Sequence, residues 1–237
     1  MVGLGTILNV AAIVAGGLIG LVFSRAISAR YQQTLMQAIG VCVIFVGIGG
    51  AVQEMVTADG LQSGGTMMVV ISYAVGSLLG EWIDLERRME QFGTWLKIKT
   101  GNAREKQFVD AFVTASLTVC IGAMAIVGAI QDGLSGDHST LALKAMLDMV
   151  IICVMSASMG KGCLFAAIPV GILQGAVTLL ARAIQPLMTE AALANLSLTG
   201  SILIFCVGVN LLWEKKLKVA NMLPSIVVAV ILAFTGM

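Results

Sequence analysis

The sequence predicts an all-α protein, a polytopic transmembrane bundle of about eight helices, built from internal repeats with an inverted-topology pair. Three observations predict it. Hydrophobic residues make up 58% of the chain and charged residues 11%, at a mean hydropathy of +0.98, whereas a soluble domain covers its surface with charge at about a quarter of its residues. Apolar runs of about 20 residues, the length that crosses a hydrocarbon core, recur along the chain. One stretch is also written twice: Val41–Glu54, VCVIFVGIGGAVQE, returns without a gap at Val119–Asp132 as VCIGAMAIVGAIQD.

The runs expected to span are residues 3–23, 35–53, 66–83, 108–130, 141–160, 162–181, 197–213 and 220–236. Backbone in lipid must satisfy its own hydrogen bonds, so each is expected to be a continuous helix. The first begins at Val2 with no basic segment before it and reads as a mature span rather than a cleaved leader. Cys42, Cys120, Cys153, Cys163 and Cys206 all fall inside apolar runs without a CxxC pair. They read as small packing residues rather than a disulfide framework or zinc site. A net charge of +1 gives no field for nucleic acid.

One long polar segment, Asp84–Gln107, interrupts the pattern. Met89, Phe92, Trp95, Leu96 and Ile98 punctuate its charges, which suits either an amphipathic interfacial helix or a solvated loop. Basic residues favour the cytoplasmic side of a membrane. With Asp84–Gln107 inside, Arg25, Arg30, Lys161, Lys215, Lys216 and Lys218 also fall inside, and of the 14 basic residues only Lys144 and Arg182 lie outside. That orientation sets a multi-pass protein in a bacterial cytoplasmic (inner) membrane, with both termini outside.

The repeats predict an internal plan. Gly200–Val209, GSILIFCVGV, echoes Ile39–Ile48, IGVCVIFVGI, and Gly5–Ile27 aligns with Gly162–Ile184, both ending in Arg-Ala-Ile. Residues 1–83 then form a three-span unit, 84–107 a cytoplasmic linker, 108–160 a truncated two-span repeat and 162–237 an inverted three-span unit. Inverted repeats are the recurring design of secondary transporters, with a site near the midplane. Ala12, Gly16 and Gly20, then Gly76 and Gly80, then Gly47 and Gly50, put small residues on single helix faces, where backbones approach closely.

Two patterns, SxAxGxxxGE within Ile71–Gly93 and GTxxNxxxIxxGGxxG at Gly5–Gly20, carry a likeness across the whole chain. On these residues the sequence resembles the YqgA/YdfK-type family of uncharacterised bacterial integral-membrane proteins, sometimes labelled as transport proteins. The resemblance implies the membrane fold and supplies no binding or catalytic residue.

Asp148 is the leading candidate site residue, a carboxylate well inside the apolar run AMLDMVIICVM. A charge there is costly and marks function by default, as a proton carrier or cation ligand; the alternative is a structural carboxyl joining two helices. Ser156 and Ser158 follow on the same run, and Asn9, Gln37, Gln174 and Asn210 are amides within other spans. Each is a substrate or ion ligand if they share a cavity, and packing glue otherwise. Thr114, Ser116 and Thr118 add hydroxyls, and Pro169 and Pro224 are candidate kinks. Gln53–Glu54 and Gln131–Asp132 repeat an amide–carboxylate pair at outer helix ends, as an acidic mouth favouring cations or as solvated termini. No HExxH, GxSxG or Walker pattern occurs, so neither an enzyme nor a cofactor is expected. The chain reads as a transporter or channel for a small ion or solute, or else as a scaffold or sensor acting through residues 84–107. Its partners are the lipid bilayer, the transported species and, compatibly, further copies of itself.

Overall fold

The computed structural model describes residues 2–24, 28–57, 60–61, 64–213 and 217–235. Arg25, Lys215 and Lys216, used above for orientation, lie outside the described residues. The described residues are mostly helical: α1 Leu4–Ser24, α2 Ala29–Met55, α3 Gly64–Ile83, α4 Leu85–Lys99, α5 Phe108–Cys120, α6 Ala123–Ser135 and α7 Ser139–Met159. A 3-10 turn, Lys161–Ala166, leads into α8 Ala167–Leu179, followed by α9 Ala181–Ile184, α10 Glu190–Trp213, α11 Val219–Met222 and α12 Pro224–Leu232. A two-residue antiparallel ladder pairs β1 Val56–Thr57 with β2 Gly60–Leu61.

Among the described residues, six helices are long and apolar enough to cross a membrane: α1, α2, α3, α7, α10 and the run Lys161–Leu179. Two expectations need correcting. Residues 108–130 are not one straight helix, because α5 and α6 meet at 63°. The last run, Val219–Thr235, is a shorter apolar helix. The break has a local cause. Ile121 and Gly122 leave the helix, and Gly122 holds φ at 135°, a region open essentially to glycine alone. In the other copy of the repeat the equivalent residue is Ile44, which cannot adopt that angle, and α2 runs through unbroken. The polar segment is a helix, as one of its two readings required: α4, with Phe92 and Trp95 stacked at 5.7 Å.

Side-chain placement on α7 is inverted relative to a soluble helix. Leu143, Met146, Leu147 and Val150 face outward while Lys144, Asp148 and Ser156 are buried. Exposed apolar surface of this extent is unfavourable in water at about 25 cal/mol per Å², and is the ordinary outer face of a helix in lipid.

Contacts divide the chain into two compact units. The first comprises Met1–Ile39, Met89–Cys120 and Met124–Ile184. At its centre is α1. It packs parallel to α7, since Gly5 meets Leu141, Gly16 meets Met149 and Gly20 meets Cys153. It packs antiparallel to α8, since Thr6 meets Thr178, Val10 meets Gly171 and Gly17 meets Leu164. Gly16 and Gly20 abut main-chain carbonyls of α7, so the fourfold spacing is a packing seam as the sequence predicts.

The second unit comprises Gly40–Arg88, Ile121–Ala123 and Gln185–Met237. Within it α2 and α10 are antiparallel: Gly40 meets Leu212, Ile44 meets Gly208, Gly47 meets Phe205 and Gly50 meets Ser201. Gly76 and Gly80 of α3 press on the backbone of Ser225 and Asn221, again antiparallel. Met68, Leu198 and Ala229 form its apolar core. At one end Asn221 donates to Glu81 at 2.7 Å and accepts from the Glu86 N–H at 2.7 Å, and Lys218 pairs with Glu81. That hydrogen bond and charge hold the Lys218 ammonium above the usual lysine range.

The glycine seam predicts a stability result. A Cβ at Gly20 would meet the Cys153 carbonyl, whereas one at Gly175 meets nothing within 4 Å. Gly20→Ala is expected to destabilise the detergent-solubilised protein by about 1–3 kcal/mol, and Gly175→Ala to leave its thermal midpoint nearly unchanged.

Candidate functional site

The site is built on the first unit by α1, α5, α7 and α8. α7 fixes two charges on one face, because Lys144 and Asp148 are four residues apart. They lie 6% and 3% exposed, inside a 21-residue helix whose outward face is apolar. The Lys144 ammonium lies 2.8 Å from Asp148 Oδ1 and 2.7 Å from Oδ2. Its third contact is the Val119 carbonyl, at 2.9 Å. That oxygen is available because α5 ends at Cys120: the last carbonyls of a helix lack partners within it and carry partial negative charge. The break at Gly122 therefore supplies the oxygen that completes the ammonium's shell.

Two amides close the cluster. Asn9 on α1 donates its Nδ2 to Asp148 Oδ2 at 3.0 Å and to Gln174 Oε1 on α8 at 3.3 Å. Asn9 is 0% and Gln174 1% exposed, and Asn9 Oδ1 and Gln174 Nε2 have no partner. A buried polar atom without a partner costs about 1–3 kcal/mol, so this acceptor and donor are open valences at the centre of the unit.

The neighbouring polar residues anchor the helices. Asp132 on α6 is fully buried and accepts from the Gly3 and Gly5 N–H groups at 3.2 and 3.0 Å, capping the start of α1. Gln131 accepts from Thr140 at 2.7 Å. At the start of α7, Asp137 accepts from the Ser139 N–H at 3.0 Å, which holds its carboxyl below the usual range.

Of the residues the sequence nominated, Asp148, Asn9 and Gln174 meet; the others do not join them. Ser156 is buried on α7 against Gly20, about 12 Å along the helix from Asp148. Ser158 donates to its own helix at Val154 and lines an open cleft of about 420 Å³ with Ser24, Gln32, Glu105 and Lys106. Gln37 is exposed rather than bonded across helices. Asn210 pairs with the N–H and carbonyl of Leu217. Gln131 and Asp132, the second of the repeated amide–carboxylate pairs, are both engaged in holding helix ends. Gln53 is exposed and Glu54 half-buried at the end of α2. Thr114, Ser116 and Thr118 are buried along α5, the last two donating to carbonyls one turn back. Pro169 and Pro224 each lie in the first turn of a helix, where the missing N–H costs least.

The residue that sequence reasoning missed is Lys144. The charge tally puts it on the outer side, and it is the buried partner of Asp148. The signal was present: a lysine and an aspartate four apart inside one apolar run form an ion pair that can enter lipid.

The profile of the family described as "Protein of unknown function (DUF554)" matches residues 4–234. Among curated proteins, the chain is 30% identical over 230 residues to the "Uncharacterized membrane protein YdfK" of Bacillus subtilis (strain 168), covering 97% of this chain and 95% of that one. It is 26% identical over 230 residues to the "Uncharacterized protein YqgA" of Escherichia coli (strain K12), covering 95% and 94%. No solved structure matches.

Removing one partner of a buried pair strands the other charge, at about 3–5 kcal/mol. Lys144→Met and Asp148→Leu are each expected to lower the thermal midpoint in detergent strongly, and the double variant to recover most of the loss. Additive losses in the double variant would show that the two side chains do not act as a pair.

Proposed function

The chain belongs to the DUF554 family of proteins of unknown function, and we propose that it is a secondary transporter or channel for a small ion or solute, with its site at the Lys144–Asp148–Asn9–Gln174 cluster. The observation that carries this reading is a charged pair and two amides with unmet valences, buried in the middle of apolar helices and completed by a broken one. Ionisable groups at membrane depth mark ion and substrate paths, and discontinuous helices supply main-chain oxygens to them. The site's contents suit a small polar or charged species rather than an apolar one.

The transporter reading includes an eight-span plan with an inverted repeat. In its favour, the corresponding spans pack antiparallel in every case: α1 with α8, α2 with α10, and α3 with α12. Under the Ile39-to-Gly200 alignment, Ile44 corresponds to Phe205 and Gly47 to Gly208, so the contacts Gly47–Phe205 and Ile44–Gly208 exchange with one another. A two-fold axis between α2 and α10 produces that exchange. Taking α5 with α6 as one bent span, and residues 219–235 as a short one, gives eight crossings. The orientation with Asp84–Gln107 inside is supported by the Lys161–Glu105 ion pair at 2.9 Å, which sets Lys161 at the same end as that basic segment. Lys144 drops out of the outside tally because it is buried.

A second reading, a scaffold or sensor acting through α4, draws on its outward row of Phe92, Trp95 and Ile98 beside Arg87, Arg88, Lys97 and Lys99. That row also suits anchoring at a lipid headgroup surface.

Reconstituted into proteoliposomes and tested against cations, protons and small acids, the protein is expected to move at least one species, and Asp148→Asn to abolish or uncouple that flux. A folded wild-type protein inert across the panel would sink the transport reading and favour the scaffold. Single cysteines at positions 97 and 136, in a cysteine-free background, are expected to label from the cytoplasmic and outer sides respectively. Labelling of position 97 only from outside would reverse the orientation.

A further inference from the structure

We propose that the cleft where α1 and α7 end is the vestibule of the buried cluster, and that an apolar level of the first unit, Ile13, Ile152 and Val170, is the closed gate between them. The proposal rests on the transport reading of that cluster and adds the route to it and the barrier on that route.

The three helices stack in levels. α1 runs parallel to α7 and antiparallel to α8, and Asn9, Asp148 and Gln174 meet at one level. One helical turn is about four residues. Stepping toward the C-terminal ends of α1 and α7 therefore advances one turn on each and goes back one turn on α8. The next level is Ile13, Ile152 and Val170, which are 0%, 0% and 1% exposed. The level after it is Gly17, Ser156 and Ala166, all small and buried. Beyond lies the cleft of about 420 Å³, whose lining includes Ser24 at the end of α1, Ser158 near the end of α7, Gln32 and Lys106. Ser158 lies about 15 Å along α7 from Asp148.

The opposite direction is lined differently. One turn the other way brings Thr6 on α1, Lys144 on α7 and Thr178 on α8. The hydroxyls of Thr6 and Thr178 lie 3.4 Å apart, and Lys144 is the cluster's own ammonium. Polar side chains thus continue from the cluster on that side, whereas toward the cleft they stop at once. Core packing alone does not call for a difference between the two directions.

A polar species moving from the cleft to Asp148 must cross about 6 Å where no side chain replaces its water. Apolar constrictions stop ions and polar solutes by excluding water, without a plug. Main-chain groups of α1 and α7 do not relieve the passage, because both helices run unbroken through this level and keep those groups in their own ladders. Gly16 and Gly20 press on the α7 carbonyls of Met149 and Cys153, which holds α1 and α7 together. The α8 side touches α1 through side chains, Leu164 on Gly17 and Val10 on Gly171, so the level opens on that side, at Val170.

The test reads access and does not depend on transport. Ser158→Cys and Thr178→Cys, each in a cysteine-free background in proteoliposomes, receive a small membrane-impermeant methanethiosulfonate on the face at which position 97 labels. Ser158→Cys, on the near side of the gate, is expected to react promptly, and Thr178→Cys, on the far side, slowly. Adding Val170→Thr to Thr178→Cys is expected to raise its rate about tenfold or more, by making the level wettable. Threonine can place its hydroxyl on the carbonyl one turn back, which keeps the helix. If Val170→Thr does not melt cooperatively, Ile152→Ala, which widens the level without a buried hydroxyl, takes its place with the same expectation. Thr178→Cys that reacts as fast as Ser158→Cys with the gate unaltered overturns the proposal, as does a folded gate variant with no gain in rate. Ser158→Cys that does not react from the position-97 face removes the vestibule. Flux of any tested species alongside those failures leaves the transport reading standing. The expected labelling in a protein that moves nothing tested ends that reading and leaves the apolar level as a barrier.

Discussion

The structure of the first unit depends on one constraint: a lysine and an aspartate must be held as a neutral pair while almost wholly buried inside a helix bundle. The desolvation penalty in proteins is several kcal/mol per ion, so the surrounding elements are arranged to offset it. The four-residue spacing on α7 brings the charges together without help from another helix. The third oxygen comes from α5, whose helix stops at Cys120. Asn9 reaches the carboxylate from α1, and it does so because α1 and α7 approach through Gly16 and Gly20. Parallel neighbours have unfavourably aligned dipoles; the close contact and the Asp132 cap on α1 compensate.

Much of this was legible in the sequence, for reasons tied to particular residues. Lipid forces continuous helices, so α1, α2, α3, α7 and α10 follow from run length alone. The glycine spacings named their contact faces correctly, because a helix face is set by a period of about 3.6 residues. Asp148 stood out by its cost. What escaped was tertiary. Nothing local distinguishes Gln37, which is exposed, from Gln174, which is buried beside Asn9. Lys144 escaped because a basic residue near a helix end is normally counted with the loops, and its pairing makes it an exception.

The repeat misled in an instructive way. Val41–Glu54 and Val119–Asp132 share six of their 14 residues in register, yet one is helix throughout and the other breaks. The difference rests on the substitution of glycine for Ile44 at position 122, since only glycine holds φ near 135°. The matching carboxylates at the far ends have also diverged in use: Asp132 is buried as a cap while Glu54 is half-buried at the end of α2. Similar sequence thus yields a structural strut in one place and an oxygen-bearing break in the other.

Stability alone does not account for the charged pair. Replacing a buried ion pair with apolar side chains of similar volume is often neutral or stabilising, while losing either partner singly is costly. Leucine and methionine, abundant elsewhere in this chain, would fill the same space beside Leu141 and Ile152 without any desolvation penalty. The pair itself is satisfied, but the amides beside it are not: Asn9 Oδ1 and Gln174 Nε2 have no partner. A network meant only to lock helices gains most when every valence is closed. Two opposite charges, one main-chain oxygen and two open amide valences at one point are the physical argument for the site proposed at this position.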